Sequence, residues 1–258
     1  MKAATLALAA LATGSAQTPR DPIAFVACPI YRDTDAGAKS GCWLADDPAT
    51  GIRYDVSASP TKPDWNHAIL VEGQRGESNA NPCGGVAMAP VRVAVLKAPC
   101  TRFMLEAEGY PGRRFGLPPR NVRPLYEERA RPDRPFQPKT FAIPFDFDRH
   151  FVIYQLSDYY LDATINYALD VAPARITVTG YAQTDPIEVS GQALAEPASL
   201  ARARAELVVK ALEMRGVPSD AITLATGAPG ESADPAFDGL HGPSMRRVEI
   251  RIAPQPAR

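Results

Sequence analysis

Ile176-Thr177-Val178-Thr179-Gly180-Tyr181-Ala182-Gln183-Thr184-Asp185, and after a loop Leu200-Ala201-Arg202-Ala203-Arg204-Ala205-Glu206-Leu207-Val208-Val209-Lys210-Ala211-Leu212, is the stretch on which the fold turns. Its first half is rich in β-branched residues and reads as a buried strand ending in a polar loop. Its second half is built of good helix formers with an apolar stripe, and reads as an amphipathic helix with Arg204 in its first turns. A carboxylate at the strand end and a guanidinium on the helix can grip a ligand that is positive at one end and negative at the other.

Working outward, the flanking sequence supplies a consistent set of elements. Phe141 to Asp148 alternates as a strand. Ser157 is placed to cap a helix over Asp158–Leu169, with Leu161, Ile165 and Ala168 or Leu169 on one face. Ala174–Tyr181 is the strand quoted above. Ser199 is placed to cap a helix over Leu200–Arg215, with Leu200, Ala203, Leu207, Ala211 and Met214 facing inward and Gly216 ending it. Ala221–Thr226 and Arg246–Ile252 read as two further strands. The order β-α-β-α-β, then a loop and a strand, predicts an α+β sandwich with helices on one face of a sheet.

The N-terminal half has another character. Cys42–Ala45 and Ile52–Val56, joined by Asp46-Asp47-Pro48-Ala49-Thr50-Gly51, read as a hairpin. His67–Gly73 reads as a strand, and Val86–Leu96 as one or two more, with Pro90 marking an edge or a bend. A small β domain over 22–109 is the expectation. Its cysteines, Cys28, Cys42, Cys83 and Cys100, are even in number and lack any C-x-x-C spacing, so they read as two disulfides rather than a zinc site. Three pairings are open. Trp43 and Trp65 are candidates for a ligand-facing aromatic pair or for a half-buried rim. Asp33-Thr34-Asp35-Ala36-Gly37 begins like a calcium loop but lacks the later glutamate, and reads as an acidic turn.

Two other segments frame these halves. Met1–Ala16 carries a lysine, an apolar run and a small-residue site, as a signal peptide does. Residues 110–138 hold seven prolines and seven arginines. That composition predicts a stiff, extended connector, solvated or touching anionic polymer. A net charge of −1 over 258 residues argues against bulk binding to nucleic acid. No stretch after the leader has the length and apolarity of a membrane span, so none is expected in the mature chain.

The motifs over residues 139–254 resemble the OmpA-like peptidoglycan-binding domain. The opening strand FAIPFDFDR is similar to the family's F-x-F-D start, and Gly180-Tyr181 to its G-[YH]-[TA]-D corner. Arg204-Ala205, Val208 and Leu212 match its R-A-x-x-V-x-x-x-L helix. Gly230-Glu231-Ser232 and Arg246-Arg247-Val248-Glu249-Ile250 match its G-E-S turn and closing strand. The resemblance implies a βαβαβ sandwich with helices packed on a mixed sheet, preceded here by the small disulfide-stapled β domain. It also implies a ligand, the peptidoglycan stem peptide, held by the diaminopimelate end, whose ammonium pairs with an aspartate and whose carboxylate meets an arginine fork. Arg204 carries over as that arginine. Gln183 stands at the acidic position, and Asp185 lies two residues beyond it. Tyr181 and Asp148 are the further candidate ligand-binding residues beside Arg204, Asp185 and Gln183. The loop from Asp185 to Arg204 is about four residues longer than the pattern, with Ala195-Glu196-Pro197-Ala198-Ser199 replacing its usual Asn.

The expectation is a non-enzymatic, periplasmic protein of a Gram-negative cell envelope that docks on peptidoglycan and needs no cofactor or metal. Its β domain would then be free to meet another envelope protein. The alternative is the same fold with a degenerate site, acting as a protein-interaction module. An enzyme would need an assembled nucleophile or acid pair. Ser244, His241 and Asp238, or Cys83 with His67, are weak candidates for one.

Overall fold

The computed structural model describes residues 21–33, 41–77, 81–107, 109–112, 130–153, 156–228, 233 and 237–255. The leader, residues 34–37 of the acidic turn, most of the connector and the Gly230–Ser232 turn lie outside the described residues.

The N-terminal half forms one seven-stranded sheet. Its strands are β1 (Ile23–Ala27), β2 (Ile30–Arg32), β3 (Cys42–Asp46), β4 (Arg53–Asp55), β5 (His67–Arg75), β6 (Val86–Pro99) and β7 (Phe103–Leu105), in the order β1-β5-β6-β4-β3-β2-β7. Side chains alternate across a strand, so β5 feeds two cores. Ile69 and Val71 pack with Phe25, Tyr54, Val56, Met88 and Val93 on one face. Ala68 and Leu70 pack with Val26 and Ala94 on the other. The hairpin expected around residues 46–51 is present as β3 paired antiparallel with β4. Pro90 lies inside β6, a central strand, where the pairing with β5 shifts between Gly73 and Arg75. The bulge spares the missing N–H a ladder bond, so the bend occurs without an edge. Both disulfides form, pairing Cys28 with Cys100 and Cys42 with Cys83.

The C-terminal half carries the mixed sheet and helices that the sequence predicts. β8 (Lys139–Pro144), β9 (Pro173–Gly180), β12 (Ile222–Thr226) and β13 (Arg247–Pro254) stand in the order β12-β9-β13-β8. β12 runs parallel to β9, and β13 runs antiparallel to β9 and β8. Helices α1 (Ser157–Val171) and α2 (Ser199–Met214) close a core of Ile143, Phe145, Ile165, Ala168, Ile176, Val178, Ala205, Val208, Leu212, Val248 and Ile250. A 3-10 turn, Ser219–Ala221, precedes β12, and a short helix α3 (His241–Met245) precedes β13.

Three local expectations are corrected. Neither Ser157 nor Ser199 caps its helix with its side chain. Ser157 is buried and its hydroxyl donates to the Pro144 carbonyl at 2.6 Å, tying α1 to β8 instead. The inward face of α2 is Ala201, Arg204, Ala205, Val208 and Leu212, rotated from the predicted stripe, and Met214 is 76% exposed. The rotation follows from close packing. Gly180 on β9 lies so near α2 that a Cβ there would run into the Ala201 carbonyl. Only alanine-sized residues fit at that crossing, so Ala201 and Ala205 turn inward and carry Arg204 with them.

Between β9 and α2 stands an unpredicted hairpin, β10 (Ile187–Val189) and β11 (Gln192–Leu194). Val189 joins Phe147 against Val26, Ala68, Leu70 and Ala94 of the N-terminal sheet, with Ile187 and Leu194 flanking. The Val26 amide donates to Ser190 Oγ at 3.0 Å. The expected β-strand over 141–148 ends at Pro144; Phe145 stays in the C-terminal core, while Asp146, Phe147 and Asp148 meet the N-terminal half. The two halves are therefore packed directly on each other.

Candidate functional site

Arg204 is the centre of the site. Its residue is 0% exposed, at the end of α2 that abuts β9. A buried guanidinium needs a carboxylate and a use for each of its five N–H donors. All five are used. Nη2 and Nη1 donate to Glu196 Oε1 and Oε2 at 2.6 and 2.8 Å, a two-pronged fork. The remaining donors go to the carbonyls of Arg149 (2.8 Å), Tyr181 (3.0 Å) and Asp146 (3.1 Å). The guanidinium also lies over the Phe145 ring, 5.4 Å from its centroid.

The Glu196 carboxylate is equally saturated. Oε1 accepts the Asp148 amide at 2.8 Å and Oε2 accepts the Gln183 amide at 2.9 Å. With the Arg204 fork, this gives four charge-assisted hydrogen bonds to one carboxylate. The Glu196 side chain is fully buried. Its own amide donates to the Gln183 carbonyl at 2.7 Å, which fixes the loop across the strand end. A cradle for a carboxylate thus exists: one guanidinium fork and two backbone N–H groups, brought together by α2, the β9 exit and the β8 exit. Asp148 itself adopts a positive φ of 55°.

The predicted site residues divide around this cradle. Arg204 is in it, but its carboxylate partner is Glu196, neither Asp185 nor Gln183. The Asp185 side chain is exposed on the loop. Gln183 is fully buried, and its Oε1 accepts from Arg246 Nη1 at 2.5 Å, while its Nε2 meets no protein acceptor. Tyr181 is buried, its ring 3.7 Å beneath the Arg247 guanidinium and hard against Gly227. Asp148 contributes its amide, and its carboxylate reaches Lys97 of β6 at 2.7 Å. Arg202 is exposed and pairs with Glu206, as its place on the helix predicts.

The N-terminal sheet closes the other side. Arg246 is 1% exposed and forms an ion pair with Glu72 of β5, using both carboxylate oxygens. Burial works to lower the Arg246 pKa, and the charges of Glu72, Glu196 and Asp146 outweigh it, so the guanidinium is held above its ordinary value. Asp146 is buried and accepts from Thr61 Oγ1 at 2.6 Å. Burial pushes its carboxyl up to about 6, aided by the Glu72 charge and opposed by Thr61, Arg246 and Arg92. Arg92 also pairs with Asp238 at 2.9 Å, and Arg149 Nη2 donates to the Val95 carbonyl at 3.1 Å.

Sequence reasoning missed Glu196, Glu72 and Asp146. Signals were present. Glu72 interrupts the apolar run His67–Gly73, and a lone carboxylate in a buried strand calls for a cation. Glu196 lies in the lengthened loop, eight residues before Arg204 and outside any helical spacing. The weak catalytic candidates are engaged elsewhere. Ser244 Oγ donates to the His241 carbonyl at 2.7 Å, Asp238 holds Arg92, and Cys83 is in a disulfide. Trp43 and Trp65 form a half-buried cluster with Tyr31, ring centroids 4.7–5.2 Å apart.

The C-terminal part of the chain is similar to OmpA-like domains of solved structures. The OmpA-like domain of FopA1 from Francisella tularensis is 19% identical with a TM-score of 0.36, over 45% of this chain and 73% of that one. The peptidoglycan-associated lipoprotein from Burkholderia pseudomallei is 19% identical with a TM-score of 0.32, over 43% and 88%. The cell wall anchor of the T6SS from Pseudomonas aeruginosa is 19% identical with a TM-score of 0.35, over 46% and 82%. No family model and no curated protein matches the chain. Likenesses of this size carry no ligand or partner over to it.

Proposed function

We propose that this is a non-enzymatic protein of the periplasm that associates with the cell wall through its C-terminal half. The ligand is the peptidoglycan stem peptide, recognised by the free end of diaminopimelate. The observation that carries this reading is the cradle itself. The Arg204 fork and the amides of Gln183 and Asp148 are arranged to take a carboxylate on both oxygens, and diaminopimelate presents one at the end of its side chain. The order of short motifs around Gly180-Tyr181 and Arg204 supports the same ligand. Its ammonium would face the exposed Asp185 at the loop surface, since the buried Gln183 offers no charge. The N-terminal sheet, fastened by its disulfides, is the part available to a second envelope protein.

A second reading has its own support. The cradle already holds Glu196, and the N-terminal sheet covers its flank through Glu72. A site so filled suits an OmpA-like fold that has become an interaction module.

Co-sedimentation with purified sacculi separates the two. The full chain and its Glu196→Ala variant are each mixed with sacculi whose stem peptides carry diaminopimelate, and with sacculi that carry lysine there. Lysine keeps the ammonium and lacks the carboxylate. Retention on the first only, competed by free diaminopimelate, is expected. Equal retention on both removes the diaminopimelate reading. Retention of neither form on either wall leaves the interaction module.

A further inference from the structure

The loop that supplies Glu196 is the one that is longer than the family pattern, and it does two things at once. Its hairpin, β10–β11, puts Val189 into the apolar cluster of the N-terminal sheet, beside Val26, Ala68, Leu70 and Ala94, and Ser190 takes the Val26 amide. Two residues after the hairpin, Glu196 enters the cradle and fills every donor that an external carboxylate would use. Arg204 has no donor to spare. A ligand carboxylate therefore has to expel Glu196. Glu196 is fully buried and its amide is bonded to the Gln183 carbonyl, so the way out for its side chain is for the segment Ala195–Ala198 to yield, and that segment is anchored at one end by the docked hairpin and at the other by α2.

We infer that Glu196 is an internal occupant of the wall-binding cradle, held there by the hairpin docked on the N-terminal sheet, so that stem-peptide binding and hairpin docking exclude each other. The inference rests on the wall-binding reading and adds its control. The chemistry of the occupant matches that of the ligand: one carboxylate replaces another in the same fork. The N-terminal half then acts as a brake. Anything that draws β1 or β5 away from the hairpin, such as a partner engaging that sheet, frees the loop and opens the seat. Binding follows the fraction of molecules with the seat open. If the closed form holds nine-tenths or more, opening it tightens apparent affinity by about tenfold or more.

The test uses the full chain and a soluble stem tripeptide ending in diaminopimelate, with binding measured by calorimetry. Three forms are compared: the native protein, Glu196→Ala, and Val189→Asp. The last leaves Arg204, Glu196 and both amides intact and places a charge in the hairpin's apolar seat. Both variants are expected to bind about tenfold or more tightly than the native protein. In parallel, millimolar acetate is expected to raise the Tm of Glu196→Ala saturably and to leave the native Tm unchanged. Equal affinity in all three forms overturns the brake and leaves wall binding standing. Absence of a Tm rise with acetate overturns the idea that Glu196 sits in a carboxylate seat. A Tm rise with no tripeptide binding by any form overturns the wall reading, and the brake with it. Where Glu196→Ala fails to fold, Val189→Asp alone decides: unchanged or weaker binding sinks the inference.

Discussion

Single residues in this chain are governed by how few charges can be buried without a partner. Arg204 was legible because Leu200 and Val208 flank it at helical spacing, leaving a guanidinium among apolar neighbours that had to be aimed at something specific. Its partner was not legible. Glu196 meets it through a loop, and no periodicity links positions eight apart across a helix start. Asp146 is the opposite case: a carboxylate that the fold tolerates at a cost. It titrates near 6 in the fold against 3.8 for the free group. The folded state therefore binds the proton more readily, and stability from this group falls as pH rises from about 4 to about 6. The full difference is about 3 kcal/mol. Asp146→Asn keeps an acceptor for Thr61 and removes the charge. Urea unfolding should find it more stable than the native protein at pH 7.5, by up to that amount, with the gap narrowed to about a third at pH 4.5. A less stable variant at pH 7.5 would show that the Arg246 and Arg92 attractions outweigh burial.

Among the elements, the long periodic segments and the hairpin with an Asp/Pro/Gly turn were legible as elements, whereas the hairpin β10–β11 and the facing of α2 were not. The two long helices and strands β9, β12 and β13 follow from apolar period and from Gly216. The hairpin β10–β11 has three residues per strand, too few for a pattern to register. Its turn residues, Ser190 and Gly191, both have positive φ, 51° and 73°, as a two-residue hairpin turn with the right twist demands. Ser-Gly between Ile-Glu-Val and Gln-Ala-Leu was a usable signal. The facing of α2 was misjudged for a different reason. Apolar count favoured Leu207 and Met214, whereas close approach to Gly180 favoured the alanines. That crossing can be tested. Gly180→Ala sets a methyl against the Ala201 carbonyl, so β9 and α2 must part. A loss of about 2 kcal/mol or more in urea unfolding is expected, as for overpacked cores. A change within 0.5 kcal/mol, the range of about what surface substitutions cause, would mean that the helix yields freely.

For the whole molecule, a reading of two halves joined by a connector leaves open how the halves meet. The junction is built from Phe147 and Val189 on one side, Val26, Ala68, Leu70 and Ala94 on the other, with a ring of paired charges around them. None of these pairs is near in sequence: Glu72 and Arg246 are 174 residues apart. The junction was hidden because each half, taken alone, has a complete pattern of its own. Glu72 and Arg246 are the buried members of the ring, and so the ones whose separation costs most. Removing one partner of such a pair leaves the other charge without compensation, at about 3–5 kcal/mol, whereas removing both relieves the burial of each. Glu72→Gln alone should therefore destabilise the full chain strongly, and Arg246→Gln alone likewise. The double variant should fall well short of their sum, with a coupling of about 2 kcal/mol or more in a double-mutant cycle by urea unfolding. Additive losses would mean that each residue is held by its own half, Arg246 by Gln183 and Glu72 by the β5 backbone. The halves would then be joined by the apolar contact and the remaining cross-junction bonds, such as Arg92–Asp238 and Thr61–Asp146. A large coupling ties the β5 strand to the β13 entry, and with it the sheet that holds the hairpin to the cradle that Glu196 fills.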